Sequence, residues 1–403
     1  MTGEGRRHWT PTRDAGLAQL DHFLPRAGVA YARDRNRDLG PGDRSGTSLL
    51  SPWLRRRLIT EEEVVHAVLA RHGAVAAEKF VQEICWRTYW KGWLQLRPEL
   101  LRRFDADRRR LAAEWRRHSG LAHAMAGETG IDAFDSWVSE LVALGWLHNH
   151  ARMWFASIWI FTLGLPWQLG ADFFYKHLID ADPASNTLSW RWVAGLHTPG
   201  KHYLARAANI RDNTGGRFDP AGQLNERAAP LTEAGPPLAL RPLPAPPPVP
   251  AGRVALLLTI EDLHPESWSL GEAPAGCAAL APPVVGDPDG PAAIFDRGAL
   301  ADGLAWTEAR FGVAGPTLAA SEVAAWARTT GVETIVTSEA PTGLVAWQLA
   351  EIEQTLSAQG QRLVQLRRAW DALAWPQATG GFFKFKSAIP RLLAQAMAGH
   401  PGH

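Results

Sequence analysis

Residues 236–252 read PPLALRPLPAPPPVPAG. Proline fixes φ and removes a backbone donor, so this stretch forms neither a helix nor the centre of a sheet. It divides a chain of 403 residues, too long for one ordinary core, into two parts of different character. The expected organisation is multidomain. A helical domain covers 1–220, a Pro-rich linker 221–252, an α/β domain 253–370, and a basic, aromatic segment ending in a helix 371–403.

Before the linker the pattern is helical. Leu17, Leu20, Phe23 and Leu24 recur at helical spacing within 12–33, and Thr60-Glu61-Glu62-Glu63 opens a further helix as a capping box. Over 73–96 a strongly helical segment carries Glu83, Trp86, Arg87 and Trp90 at i, i+3, i+4 and i+7, on one face. A core face does not usually carry Glu and Arg, and a solvent face does not usually carry two Trp. The stripe is either the wall of a cleft or a half-buried Arg–Glu pair under aromatic packing. The loop Thr47-Ser48-Leu49-Leu50-Ser51-Pro52 offers small hydroxyls and backbone N–H groups. It either holds a phosphate or caps a helix. The arginines of 97–117 read as a solvated helix face, with contact to a phosphate backbone as the other reading.

Residues 145–192 combine Trp146, Trp154, Trp159, Trp167, Trp190 and Trp192 with Asn149, Arg152, Asp180, Asp182 and Asn186. Large aromatics mixed with hydrogen-bonding groups suit a buried aromatic ligand. The apolar run 153–165 is shorter than the roughly 20 residues a bilayer span needs, and reads as a core helix stopped by Pro166. Gly170 is expected to open a turn, with Asp172 as N-cap of a second helix over 173–179. The loop 180–186 would then follow.

After the linker, 253–260 is a continuous apolar run of buried-strand type. Residues 332–338 and 361–366 read as further strands around a helix over 343–357. Strand, helix and strand at this spacing predict a parallel sheet with right-handed crossovers. No Gly-rich dinucleotide fingerprint follows a strand, so a nicotinamide site is not expected.

A formal net charge of +1 nominates no partner. Cys85 and Cys277 stand far apart without CxxC spacing, which excludes a cysteine-ligated cluster or zinc ribbon within the chain and fits a reduced, cytoplasmic setting. No metal site is expected. The first residues, MTGEGRRHWTPTRD, lack the apolar core of a secretory signal.

Four motifs in order, TSLLSP at 47–52, EICWR at 83–87, GWLHNHARM at 145–153 and DADPASNTLSWRW at 180–192, resemble the flavin-binding helical domain of the DNA photolyase/cryptochrome family. The resemblance implies an all-α domain binding flavin-adenine dinucleotide (FAD). Tyr31 and Thr47, Ser48, Leu49, Leu50 and Ser51 would hold its diphosphate. Arg152 and Asp180 would pair beside the isoalloxazine, Asp182 would accept from a ring nitrogen or the ribityl region, and Asn186 would face N5. Asn149 would stand at both the flavin and the substrate. A reduced anionic flavin needs nearby positive charge and donors, which Arg152 and Asn186 would supply.

By the same resemblance Trp190, Trp167 and Trp115 form an electron-transfer chain to the flavin, Trp115 matching only after a one-residue shift. Glu83, Trp86, Arg87, Asn149, Met153 and Trp192 line the cleft for a flipped pyrimidine dimer, with the two tryptophans stacking on its bases. Asn149 and Met153 stand where photolyases for (6-4) lesions carry two histidines, so a cyclobutane dimer is expected. The family normally places its α/β antenna domain first. An α/β unit after the helices, closed by a family-like segment at 371–393, implies circular permutation, and leaves the antenna chromophore open. The function implied is light-driven repair of damaged DNA. The alternative is a cryptochrome-like photoreceptor signalling through a protein partner.

Overall fold

The computed structural model describes residues 9–235 and 238–398. The ends of the 1–220 and 371–403 spans, and residues 236–237 of the linker, lie outside the described residues. The central element is the helix Glu61–Gln95, opened by a reciprocal capping box between Thr60 and Glu63 and broken at Gly73, where φ 71° and ψ 165° leave helical space. Glycine tolerates that conformation without a Cβ penalty. From Val81 to Leu94 this helix is buried on most of its faces, because different layers pack around it.

One layer is a five-stranded sheet of order β3-β2-β1-β4-β5. Its strands are β1 (Ala255–Leu258), β2 (Gly276–Leu280), β3 (Thr317–Leu318), β4 (Thr334–Ser338) and β5 (Arg362–Leu366). All pairings are parallel, with Ala255 opposite both Gly276 and Ile335, and Thr334 opposite Arg362. β1 and β4 are buried throughout, as a parallel sheet covered on both faces requires. The expected strands and the helix Leu344–Ser357 are present. β2, β3 and the helices Pro291–Phe311 and Val323–Thr329 add to them. Ala-rich and Gly/Pro-interrupted stretches gave these no clear period.

The opposite layer is helical, with its own core around Trp137, Trp154, Trp159, Trp167 and Trp190. Helix Asn149–Ser157 runs into a π turn at Ile158–Thr162, and helices Trp167–His177 and Pro183–Ala194 follow. This corrects two boundaries. Asp172 is not an N-cap: Pro166 occupies that position, and Asp172 lies inside the helix, paired with Lys176 at 2.6 Å. Gly170 opens no turn. It lies within the helix, and a Cβ there would collide with the ring of Trp190 and meet Trp159 Nε1 at 2.9 Å. The glycine admits two indoles to the helix surface.

The arginines of 97–117 divide. Arg108, Arg109 and Arg110 pair with acidic neighbours on the helix Glu99–Glu114, a solvated face. Arg97 is instead buried, 4.0 Å over the ring of Trp93, and donates to Thr379 O at 2.7 Å.

Three consecutive arginines fasten the two layers. Arg55 binds Glu261 through two bonds of 2.7 and 2.8 Å, Arg56 donates to Asp296 at 2.7 Å, and Arg57 donates to Asp371 at 2.8 Å. All six side chains are buried. The segment after the sheet does not stand apart. Its helices Ala369–Ala374, Phe382–Lys386 and Ile389–Ala398 pack on Glu61–Gln95, with Trp370 Nε1 donating to Thr88 Oγ1 at 2.8 Å. Among the described residues no helix is long and apolar enough to cross a membrane.

Candidate functional site

The helical layer encloses a cavity of about 510 Å³. Its floor comes from Glu61–Gln95, one wall from the loop before the short helix Ser51–Arg56, and the other from helices Asn149–Ser157 and Pro183–Ala194. Tyr31, Thr47, Ser48, Leu49, Leu50, Ser51, Glu83, Trp86, Arg87, Asn149, Arg152, Met153, Asp180, Asp182, Asn186, Trp190 and Trp192 all line it. Residues up to 161 positions apart in sequence, Tyr31 and Trp192, thus meet on one surface. Trp167 and Trp115 are not on it. Trp167 packs against Phe104 with ring centres 5.4 Å apart, and Trp115 lies 4.4 Å from His118.

The loop 47–50 lines the cavity and contains one residue of unusual backbone conformation. Leu49 adopts a left-handed φ of 59°, a conformation disfavoured for a side chain of its size and kept only where surroundings impose it. Opposite, Asp182 caps helix Pro183–Ala194, accepting from Ala184 N at 3.0 Å and Ser185 N at 2.9 Å through one oxygen. Its other oxygen accepts from Arg87 Nη1 at 2.9 Å. Asp182 and Arg87 therefore enter the site already paired, a restriction on both expected roles that the sequence did not show. Arg152 donates to Leu147 O at 2.9 Å and to Asp180 Oδ2 at 3.4 Å, so the expected ion pair is formed. Burial raises the Asp180 carboxyl, but the guanidinium groups of Arg152 and Arg87 outweigh it and hold the group below its ordinary value. Asp180 is thus an anion between two cations.

Asn186 lies on the first turn after the Asp182 cap, not in the loop. It donates to Ala171 O at 2.7 Å, which fixes the plane of its amide against helix Trp167–His177. Glu83 is salt-bridged to Arg35, and burial pushes its carboxyl up. Trp86 has Phe382 stacked on it, with ring centres 3.6 Å apart. Phe382 does not line the cavity, so it backs the wall from behind. Trp192 stacks on Tyr203 at 5.9 Å. Trp190 is 2% exposed and meets Trp159 and Phe174 edge-on at 6.2 and 5.1 Å.

Sequence reasoning missed Arg35, Glu61 and His148 on the wall. His148 caps helix Asn149–Ser157 through Nδ1, which accepts from His150 N at 3.1 Å. Burial lowers its pKa to about 4, so the ring is neutral near pH 7. The position before an amphipathic helix was the available signal for His148. Arg35 and Glu61 gave none.

Glu61 Oε1, His148 Nε2 and Trp190 Nε1 are buried cavity-wall atoms with no protein partner among the described residues. Buried polar atoms are rarely left unpaired. Two cations, several acceptors and bulky aromatics around orphaned polar atoms fit a large ligand that is aromatic and polar at once, as FAD is.

The comparisons agree with this geometry. Residues 80–237 match the family model of the FAD binding domain of DNA photolyase. The chain is similar to the deoxyribodipyrimidine photo-lyase of Streptomyces griseus, 35% identical over 195 residues, covering 48% of this chain and 41% of that protein. The one of Agrobacterium fabrum is 33% identical over 237 residues, covering 56% and 46%. A solved class III photolyase from Agrobacterium tumefaciens aligns with TM-score 0.42 at 30% identity, over 52% of this chain and 44% of that one. The chain spans about half the length of these relatives. With the motifs on one cavity and the domain model covering most of its walls, the helical part of this chain is similar to the FAD binding domain of DNA photolyase.

Proposed function

We propose that the protein repairs cyclobutane pyrimidine dimers in DNA by light-driven electron transfer, with FAD held in the 510 Å³ cavity. The carrying observation is that the residues suited to flavin and those suited to a flipped base line one continuous surface, so donor and acceptor would sit in contact. Bound flavin supplies, on illumination, the electron that opens the dimer, and takes it back once the bases separate.

The chain's own groups set up that exchange. Arg152 and Arg87 flank Asp180 and Arg87 also pairs with Asp182, so the four charges balance and an anionic ring would be favoured only where it lay nearer a guanidinium than a carboxylate. Asn186, its amide plane fixed by Ala171 O, would present its remaining groups to flavin N5. Thr47, Ser48, Leu49, Leu50 and Ser51, with Tyr31 beside them, would hold the diphosphate. Trp86, backed by Phe382, and Trp192, backed by Tyr203, offer rings to the damaged bases, and Asn149 and Met153 suit the cyclobutane lesion. Trp190 would re-reduce the flavin, with Trp167 and Trp115 leading outward. A cytoplasmic location belongs to the same reading.

The test is an oligonucleotide carrying one dimer, mixed with protein whose flavin has been fully reduced and exposed to blue light. Loss of the dimer is expected; unchanged dimer content overturns the proposal. Dark binding separates repair from the alternative. Salt-sensitive preference for damaged over intact DNA fits repair, whereas light-dependent binding of a protein fits a cryptochrome-like photoreceptor.

A further inference from the structure

Next to Trp190 in the chain stands Arg191, 2% exposed, with its guanidinium carbon 5.7 Å from the centre of the Trp167 ring. A buried charge needs a partner. Arg191 finds one outside its own helix. Glu233 accepts from Nη1 at 2.8 Å and from Nη2 at 2.7 Å, a two-pronged pairing that fixes the guanidinium plane. A stretch without regular structure brings Glu233 there, crossing the end of the helix Pro183–Ala194. Leu231 N donates to Ala194 O at 2.9 Å, and Pro230 sits so close to Gly195 that a Cβ there would lie 2.8 Å from it. The hydrogen bonds from Arg191 lead, with a weaker pull from Arg103, in holding the Glu233 carboxyl below its ordinary value against partial burial. The carboxylate is therefore charged near pH 7. Its side chain is 45% exposed against 3% for Arg191, so one partner lies in the core beside an indole and the other at the surface.

A half-exposed ion pair ordinarily adds little stability. Here its position matters more than its strength. When Trp167 gives up an electron, its ring becomes a radical cation beside the Arg191 guanidinium. At 5.7 Å, with the screening usual inside a protein, that like-charge repulsion outweighs a tenfold preference. A carboxylate on the same guanidinium cancels most of it. Resting on the electron path of the repair reading above, we propose that Glu233 neutralises Arg191 and so lets the positive hole settle on Trp167. Electrons balance along the path: Trp190 gives one to photoexcited flavin, Trp167 gives one to Trp190, and an external thiol fills the hole that has moved outward. Arg191 alone would hold the hole back on Trp190, beside the flavin, where it is lost by return of the electron. Glu233 does not line the cavity and acts through Arg191, which makes it a positioning residue.

Charge compensation and a plain structural clasp give opposite patterns. The measurements are photoreduction of flavin-loaded protein by external thiol under blue light, and the transient absorbance of oxidised tryptophan after a laser flash. Glu233→Gln keeps the shape and one acceptor but leaves the cation uncompensated. Photoreduction should slow by about tenfold or more, and the tryptophan signal should decay faster. Glu233→Asp keeps the charge and should recover most of the rate. Arg191→Met removes the repulsion, so photoreduction should run at the wild-type rate or faster, and adding Glu233→Gln to it should change nothing. Flavin content equal to wild type shows that the fold is intact. If Arg191→Met does not hold flavin, the contrast between Glu233→Gln and Glu233→Asp, both at the surface, carries the test. An unchanged rate in Glu233→Gln, or equal slowing in Glu233→Gln and Arg191→Met, overturns the proposal and leaves the electron path standing. Photoreduction of Trp167→Phe at the wild-type rate overturns the path and this inference together. Dimer splitting by chemically reduced protein decides the repair reading separately.

Discussion

The indole of Trp86 and the phenyl of Phe382 lie 9° from parallel, joining residues 296 positions apart in sequence across the back of the cavity. An aromatic pair of this kind contributes about 0.5–1.5 kcal/mol beyond its buried area. Phe382→Leu keeps an apolar contact but not the flat support. Affinity for dimer-containing DNA should fall roughly three- to tenfold on that scale, read by a binding titration. Flavin photoreduction, which does not involve Trp86, should keep its rate.

Trp190 tests the electron path. Its Nε1 has no protein partner among the described residues, so Trp190→Phe strands no hydrogen-bond group in the protein and removes the easily oxidised ring. Flavin should still bind. Photoreduction by external thiol should slow by at least about tenfold, equivalent to about 1.4 kcal/mol of barrier. Repair starting from chemically reduced flavin should be nearly unchanged. Photoreduction at the wild-type rate would return Trp190 to the status of a core residue.

Gly170→Ala strikes the same ring from behind. A Cβ at this position collides with Trp190, which is packed between Phe155, Trp159 and Phe174 and has little room to yield. The variant should lose about 1–3 kcal/mol of stability, as overpacked cores do, and bind flavin more weakly. Urea unfolding and flavin retention on gel filtration measure the two effects.

Buried charge sets the response to acid. Burial raises the Glu63 carboxyl, but the Arg13 hydrogen bond, His264 and the Thr60 cap outweigh it and lower the group to about 2. A carboxyl whose folded pKa is depressed stabilises the protein above its unfolded pKa, and that stability is lost as pH falls through the folded value. Arg13→Met should therefore cost on the order of 1–3 kcal/mol at pH 6, with the gap to wild type closing between about pH 4.5 and pH 2. Urea midpoints across that range test it. A gap independent of pH would mean that Arg13 contributes packing and not charge.

The pair Arg55–Glu261 offers a cycle. Glu261→Ala leaves a buried guanidinium without its partner, at a cost of about 3–5 kcal/mol. Adding Arg55→Met should recover most of that loss, because the charge needing compensation is gone. Equal instability in the single and double variants would show that shape, not charge, joins the layers here.

What the sequence revealed and what it concealed follow from the range of the interactions. Thr60 and Glu63 form a capping box within one helical turn, and that pattern was legible. So were β1 and β4, which are buried throughout, and β5, a part-exposed strand at the sheet edge. The family-like motifs around the cavity were legible as separate pieces, and folding brings them onto one surface. Hidden were the contacts that one segment alone does not encode. Gly170 reads as a break until Trp190 is packed over it. Arg87 reads as part of a cleft wall or as the partner of a nearby Glu until Asp182 arrives from 95 positions away. The segment after the sheet reads as an appendage, yet Phe382 and Trp370 reach back to the helix Glu61–Gln95.

The arginine run 55–57 carries one more consequence. Because three adjacent side chains grip Glu261, Asp296 and Asp371, the union of helices and sheet rests on local clasps rather than on the peptide that joins them. A protease cutting within 238–250, where no regular element forms and most positions are exposed, would open the backbone and still leave a single particle. The severed pieces should travel together until denaturant loosens the clasps, because buried pairs are little screened by salt. Two separately made fragments should find each other, which makes the chain order of this protein an accident of its gene more than a condition of its architecture.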